Sequence, residues 1–443
     1  MTGSNTDRIA HYIASAHERE IPDRVIDAAR LCLADWLAVA LGALDEPAAK
    51  IVHATAKEWR SAGGATLIQG GTAAAPIAAL CNGTLAHCLD FDDTYVKGIT
   101  HTSAPVWAAV SALGEEVKAT EAEMLNAFIT GFEVSARAGG GLGEAVTARG
   151  WHGTGIFGRL GAAAAAAVLL KLDRNASRHA LGLAATQTSG LVASFGTMAK
   201  PFHAGKAAMD GVLAAQLASK GFVAAENLLD AGAGLDNAVV QDRSVTIAPA
   251  EFSEWEILQN SFKPYAACHL THPAIDAARA AREREPDVAN AQSFTAEVWA
   301  LAKQVTGEKN GAPQFSLEGK FDLKYCVALA LHGYSLSNAD FQDGKRPDPK
   351  VLETARKVTV EERPGLSFMS ARFKARMADG SEIATEVPVA RGHPGNPMTW
   401  ADMGQKFHGL TEERLEGRGE AFFQRLRTFG GSEPATLFQS LRA

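Results

Sequence analysis

What this chain lacks narrows its function first. Its five cysteines, Cys32, Cys81, Cys88, Cys268 and Cys326, are odd in number and scattered, with no CxxC pair. A disulfide framework or a thiolate-ligated zinc or iron–sulfur site is therefore not indicated, because each needs paired or closely spaced thiols. The longest uncharged apolar run, Leu160–Leu170, falls well short of the ~20 residues of a spanning helix. The first thirty residues lack the apolar core of a secretory signal. These absences read as a soluble protein of a reducing cytoplasm, with no membrane partner. Long basic runs are missing too: 43 Lys and Arg stand against 50 Asp and Glu, for a net charge of −7. Nucleic-acid binding needs clustered cations to neutralise phosphates, so it is not expected.

What is present is ordinary globular composition, 47% hydrophobic and 21% charged over 443 residues. At ~150 residues per domain that length predicts two or three domains. Arg24–Leu41, Val106–Val117, Ala122–Ala136, Phe157–Leu170 and Ala207–Lys220 carry apolar residues at helical spacing. They are rich in alanine and glycine, which lets helix axes approach closely. The glycine run Gly139–Gly141 reads as a break, and Gly221 as a helix C-cap. The texture changes near residue 263. Phe294–Lys303, Val358–Val360, Phe368–Ala375 and Glu382–Val389 read as strands, the last two joined by an Asp379-Gly380 hairpin turn. Tyr325–His332 reads as a helix among them. The predicted architecture is mainly α: an all-helical domain from residues 1–262 and 398–443, with an inserted α+β domain at 263–397.

Titratable residues gather in four otherwise apolar or glycine-rich stretches. The first holds His87, Asp90, Asp92, Asp93, Thr94 and then His101-Thr102-Ser103. Three carboxylates in four positions repel one another, so they mark either a site or an exposed acidic turn before a helix with Thr102 or Ser103 as N-cap. The second, Gly150-Trp151-His152-Gly153-Thr154-Gly155, offers a histidine and helix-start N–H groups that could meet an anion, or a glycine-packed helix crossing. In the third, Lys200 and His203 flank Pro201-Phe202, where an ammonium among apolar neighbours would suit a ligand carboxylate. The fourth, Lys263 to Pro273, carries His269 and His272. A metal reading of those two lacks a third ligand, and no metal site is expected. Asp90-Phe91-Asp92-Asp93 also fits the acid motif of class II terpene cyclases. Carbocation chemistry needs an aromatic-lined cavity, and aromatics are only 7% here.

In this order the stretches resemble the MmgE/PrpD family of 2-methylcitrate dehydratase, cis-aconitate decarboxylase and iminodisuccinate epimerase. The resemblance rests on NGTLAHCLDFDDTY at 82–95, GWHGTGIFGRLGAAAAAAVLLKLD at 150–173 and KPFHAGKAAMDGVLAAQLASKGF at 200–222. KPYAACHLTHPAIDA at 263–277 and GHPGNPMTWADMGQKF at 392–407 complete it. It implies a helical domain with a smaller α+β lid, a homodimer, and a site that uses no metal or organic cofactor. It implies His152, Lys200, Asp90 and His101 as catalytic groups. Thr94, Lys263, His269, Tyr325 and His203 would bind substrate. The implied activity is a lyase acting on a small di- or tricarboxylic acid, by dehydration or decarboxylation, through proton transfer next to a carboxylate. Epimerisation of a dicarboxylic amino-acid derivative is the alternative, and a non-enzymatic helical scaffold the remote one. Two departures from the family pattern, Thr102 after His101 and Asp322 with Lys324 before Tyr325, bear on substrate identity.

Overall fold

A computed structural model of the chain describes residues 4–241, 252, 254–342 and 348–442. The chain forms two compact units, Met1–Asn260 with Trp400–Ala443, and Ser261–Thr399. Among its described residues the first is helical apart from a hairpin of two-residue strands, Ala65–Thr66 with Thr72–Ala73. Its centre is the Gly153–Leu169 helix, buried along its whole length, as expected of a helix that is apolar all round. Glu121–Gly140 and Ala199–Ala218 pack on it, and Ala199–Ala218 also packs on Ala75–His87. Small residues make these crossings tight. A Cβ at Gly205 would lie 2.2 Å from the Leu80 carbonyl oxygen and from Thr84 Oγ1, so only glycine fits.

The predicted helices are present with shifted bounds, as Asp23–Gly42, Ser103–Glu116, Glu121–Gly140, Gly153–Leu169 and Ala199–Ala218, the last starting well before the expected Ala207 and taking in Lys200 and His203. The glycine run ends a helix as expected: Glu121–Gly140 closes there, with Gly141 as its C-cap. Gly139 also serves packing, since a Cβ there would lie 2.9 Å from the Phe157 ring. The Trp400–Leu415 helix joins the first unit through Lys406, whose Nζ lies 2.6 Å from both Asp35 Oδ1 and the Phe91 carbonyl. Among the described residues no helix is long and apolar enough to cross a membrane.

The second unit holds a four-stranded mixed sheet in the order Val358–Glu362, Ser293–Val298, Ala371–Arg376, Glu382–Val387. The first pair is parallel and the others antiparallel. Phe294, Ala296, Ala371, Phe373 and Ala375 are buried, and the His272–Arg284 helix packs against the sheet. The Asp379-Gly380 turn forms, with Gly380 at φ 88° and its N–H on the Met377 carbonyl. Two strand expectations need correction. Beyond Val298 the chain turns helical rather than continuing to Lys303, and the third strand starts at Ala371 rather than Phe368. Asp322 caps the Leu323–Leu331 helix, its carboxylate accepting from Tyr325 N and Gly311 N. Its departure from the family pattern therefore has a local structural use.

Candidate active site

The site is built where the Ala75–His87 helix ends in the core. The chain turns over residues 88–93, with Asp90 in the left-handed region at φ 51°, a conformation aspartate tolerates better than most residues. This turn answers the repulsion of its three carboxylates by sending each to a different partner. Asp90 Oδ1 lies 2.6 Å from Lys200 Nζ. Asp92 accepts from His87 Nδ1 at 2.9 Å and lies 3.2 Å from His101 Nδ1. Asp93 accepts from Ser103 Oγ and, at 2.7 Å, from Asn260 Nδ2.

The other members come from helix starts. Lys200, in the first turn of Ala199–Ala218, also reaches His87 Nε2 at 3.1 Å, with the Phe195 ring centre 5.5 Å away. His101 follows Ile99, a β-branched residue held at φ 48°, the kind of backbone strain that gathers at functional sites. Its N–H donates to Thr154 Oγ1. His152 precedes the Gly153–Leu169 helix and is held by backbone pairing with the 190–192 segment, through His152 N to Gly190 O and Val192 N to Gly150 O. Its Nδ1 lies 3.1 Å from His203 Nδ1. A Cβ at Gly155 would fall 2.5 Å from the Ser189 carbonyl and one at Gly153 2.9 Å from the Ile99 carbonyl. The glycines of this stretch are thus the packed crossing, and the anion-at-helix-start reading has no support from them. Buried Arg159 braces that crossing, donating to Gly155 O, Ser189 Oγ and Asp210.

Burial sets the charges. It pushes His87 down to about 3, against the pull of Asp92. Burial and then the Lys200 charge hold His152 well below the usual histidine range. Asp92, despite its burial, is held well below the carboxylate range by His87 and His101. His152 is therefore a neutral donor and acceptor near neutral pH, because its burial and the nearby positive charge of Lys200 disfavour a second cation.

A second buried network adjoins the first. Burial, together with the Asp35 charge, raises Asp93 to about 7, and Asp35 is itself shared between Lys406 Nζ and the Asp93 N–H. Asp93 Oδ1 has no hydrogen-bond partner among the described residues. A carboxyl raised above its unfolded value of ~3.9 binds its proton more readily in the native state between ~4 and about 7, so its stabilising effect fades as pH rises through that window. Asp93→Asn mimics the protonated acid and removes this loss. Its melting temperature relative to the parent should therefore be higher at pH 7.5 than at pH 5, and a difference that is flat or reversed would contradict the assignment.

Asp90, Thr94, His101, His152, Lys200 and His203 all belong to the helical unit. Five of them join one cluster, while buried Thr94 keeps its Oγ1 without a partner among the described residues. Lys263, His269 and Tyr325 belong to the other unit, where all three are buried. There the His269 ring packs 4.7 Å from His272 and 5.6 Å from Phe368, and Tyr325 packs against Phe341. Sequence reasoning quoted His87 and Asp92 but gave them no role. Their five-residue separation shows no pattern until the helix ends between them. His87, Asp90, Asp92 and His101 each offer a donor atom within 4.8 Å of the others, a set that could hold a metal ion and that linear spacing did not indicate. The Lys200 ammonium already meets two of the four and supplies positive charge there.

Comparison with known proteins identifies the family of the chain. Residues 7–248 match the MmgE/PrpD N-terminal domain and residues 265–427 the MmgE/PrpD C-terminal domain. The cis-aconitate decarboxylase of Aspergillus terreus is 26% identical over 418 residues, covering 87% of this chain and 85% of that protein. The mouse cis-aconitate decarboxylase is 28% identical over 352 residues, covering 76% and 72%. The cis-aconitate decarboxylase-like protein oryM of Aspergillus oryzae is 25% identical over 444 residues, covering 94% and 92%. With both domains of the family matched in order along one chain, this protein belongs to the MmgE/PrpD family.

Proposed function

We propose that the chain is a lyase acting on a small di- or tricarboxylic acid by proton transfer on a carbon next to a carboxylate. The observation that carries this reading is the Lys200 ammonium set between Asp90 and His87, with His101 beside the same carboxylates. The relatives named cis-aconitate decarboxylase support it and make decarboxylation the first outcome to test, ahead of dehydration. Lys200 would hold a substrate carboxylate by a charge-assisted hydrogen bond. Loss of CO₂ would leave an electron pair on the neighbouring carbon, and a proton delivered there completes the step. His101 is the donor of choice: as an imidazolium whose Nδ1–H faces Asp92 it would donate from Nε2, and its side chain, 12% exposed, is more open than those of Asp90, Asp92 and Lys200. Neutral His152, paired with His203, would orient the substrate or receive the proton in a dehydration. Lys263, His269 and Tyr325 are assigned to substrate binding on the family resemblance, as is a homodimer, which light scattering at micromolar protein would check.

A thermal-shift screen with citrate, methylcitrate, cis-aconitate and aspartate-derived diacids tests the substrate class, since a ligand that binds only the native state raises its melting temperature. At least one of these acids should raise it and be turned over, with release of CO₂ distinguishing decarboxylation from loss of water. No shift and no turnover with any of them would overturn the reading. Because Lys200 places its charge against the donors that would otherwise meet a cation, turnover should also survive exhaustive EDTA treatment without added cofactor. Stoichiometric metal whose removal abolishes activity would refute that expectation.

A further inference from the structure

His87 and Asp92 neither hold the substrate nor move its proton in the chemistry just described, yet their side chains are buried to 0% and 1% exposure beside the groups that do. We propose that they form a positioning relay: Asp92 fixes His87 as the Nδ1–H tautomer, and the bare Nε2 of His87 then fixes the Lys200 ammonium beside Asp90. His87 Nδ1 lies 3.0 and 2.9 Å from the two Asp92 oxygens. An ionised carboxylate only accepts, so Nδ1 carries the proton. A neutral imidazole has one N–H, which leaves Nε2 as an acceptor, and Lys200 Nζ, a donor only, lies 3.1 Å from it.

The chain of donors and acceptors closes without conflict in this state alone. The opposite tautomer would set an N–H against the ammonium and a lone pair against Asp92, two mismatches in a site with little water to absorb them. A protonated His87 would put two cations 3.1 Å apart in the core. Asp90, 2.6 Å from the same ammonium, takes a second Lys200 N–H and leaves the third for a ligand. Asp92 also lies 3.2 Å from His101 Nδ1, so one carboxylate orients both rings. That Lys200 then meets a substrate carboxylate rests on the lyase reading; the tautomer of His87 does not.

The test therefore has two parts. In protein labelled with ¹⁵N-histidine, the His87 signal, identified among the 13 histidines by its loss in His87→Gln, should show a protonated Nδ1 and an unprotonated Nε2. An unprotonated Nδ1 with a protonated Nε2 overturns the relay whatever the enzyme does. Kinetics supply the second part. The amide oxygen of His87→Gln reaches the Nε2 position and can still accept from Lys200. His87→Asn reaches only the Nδ1 position and can satisfy Asp92 but not Lys200. His87→Asn should lower kcat/KM by about tenfold or more relative to His87→Gln at similar melting temperatures, as expected for losing one hydrogen bond to a charged group. Equal activity of the two would count against positioning through Lys200. A parent enzyme inert toward every acid tested would refute the lyase reading, and the tautomer measurement would still decide the relay.

Discussion

Lys200→Ala should lower kcat/KM by at least ~10²-fold, the scale of losing a group that holds or moves charge at the reacting centre. The expectation follows from geometry. Lys200 is 4% exposed, and its ammonium is held at 2.6 Å by Asp90 and 3.1 Å by His87. Removing it leaves no fixed cation to bind a substrate carboxylate there and leaves buried Asp90 without its ion-pair partner. Lys200→Met, which keeps the apolar stem, should be as inactive as the alanine variant, because charge rather than packing is lost. His152→Ala should cost about as much through proton transfer and orientation. His332→Ala is the control: its Nε2 meets Thr354 Oγ1 in the other unit, and it should stay close to parental activity. The measurement is steady-state kinetics with circular dichroism and melting on each variant. Near-normal kcat/KM for Lys200→Ala on a true substrate would return this turn to a packing role.

The largest effect on stability is expected at Lys406. Its Nζ lies 2.6 Å from Asp35 Oδ1 and 2.6 Å from the Phe91 carbonyl, and 3.9 Å from the Phe91 ring centre. Both charged side chains are buried, 3% and 1% exposed. Breaking a buried pair by deleting one partner leaves an uncompensated charge and costs about 3–5 kcal/mol. Lys406→Ala should therefore unfold at lower denaturant by that margin, whereas Lys406→Ala with Asp35→Asn recovers part of the loss because no bare carboxylate remains. The contact joins the Trp400–Leu415 helix to the Asp23–Gly42 helix and to the turn after residue 87, so partial unfolding of residues 400–442 should accompany it. Equilibrium urea unfolding measures this. A change within 0.5 kcal/mol, the usual range of surface substitutions, would show that the pair is solvated in solution.

Much of the fold was legible in advance, for reasons that can be named. Apolar spacing at three and four marked the helices because burial of one stripe is a local property of the sequence. Asp379-Gly380 marked its hairpin because positive φ is a property of the residue. Failures came where packing overrode local preference. The strand after Ser293 stops at Val298, where the chain turns helical, and the helix expected from Ala207 starts at Ala199 and takes in Lys200 and His203.

The candidate site divides along the same line. Residue types and their grouping singled out Asp90, His101, His152, Lys200 and His203, because charged groups placed among glycine and apolar neighbours need a reason wherever they fold. The sequence alone also determined the family, through five motifs spread over the chain. Only the tertiary structure decided what each group is bonded to. It brings Lys200 to His87 across 113 positions, parts three adjacent carboxylates toward three partners, and makes His87 and Asp92 members of the site. It also decided that His152 stays uncharged near neutral pH, because desolvation and the nearby Lys200 charge depend on what surrounds a ring in space and not on its neighbours along the chain.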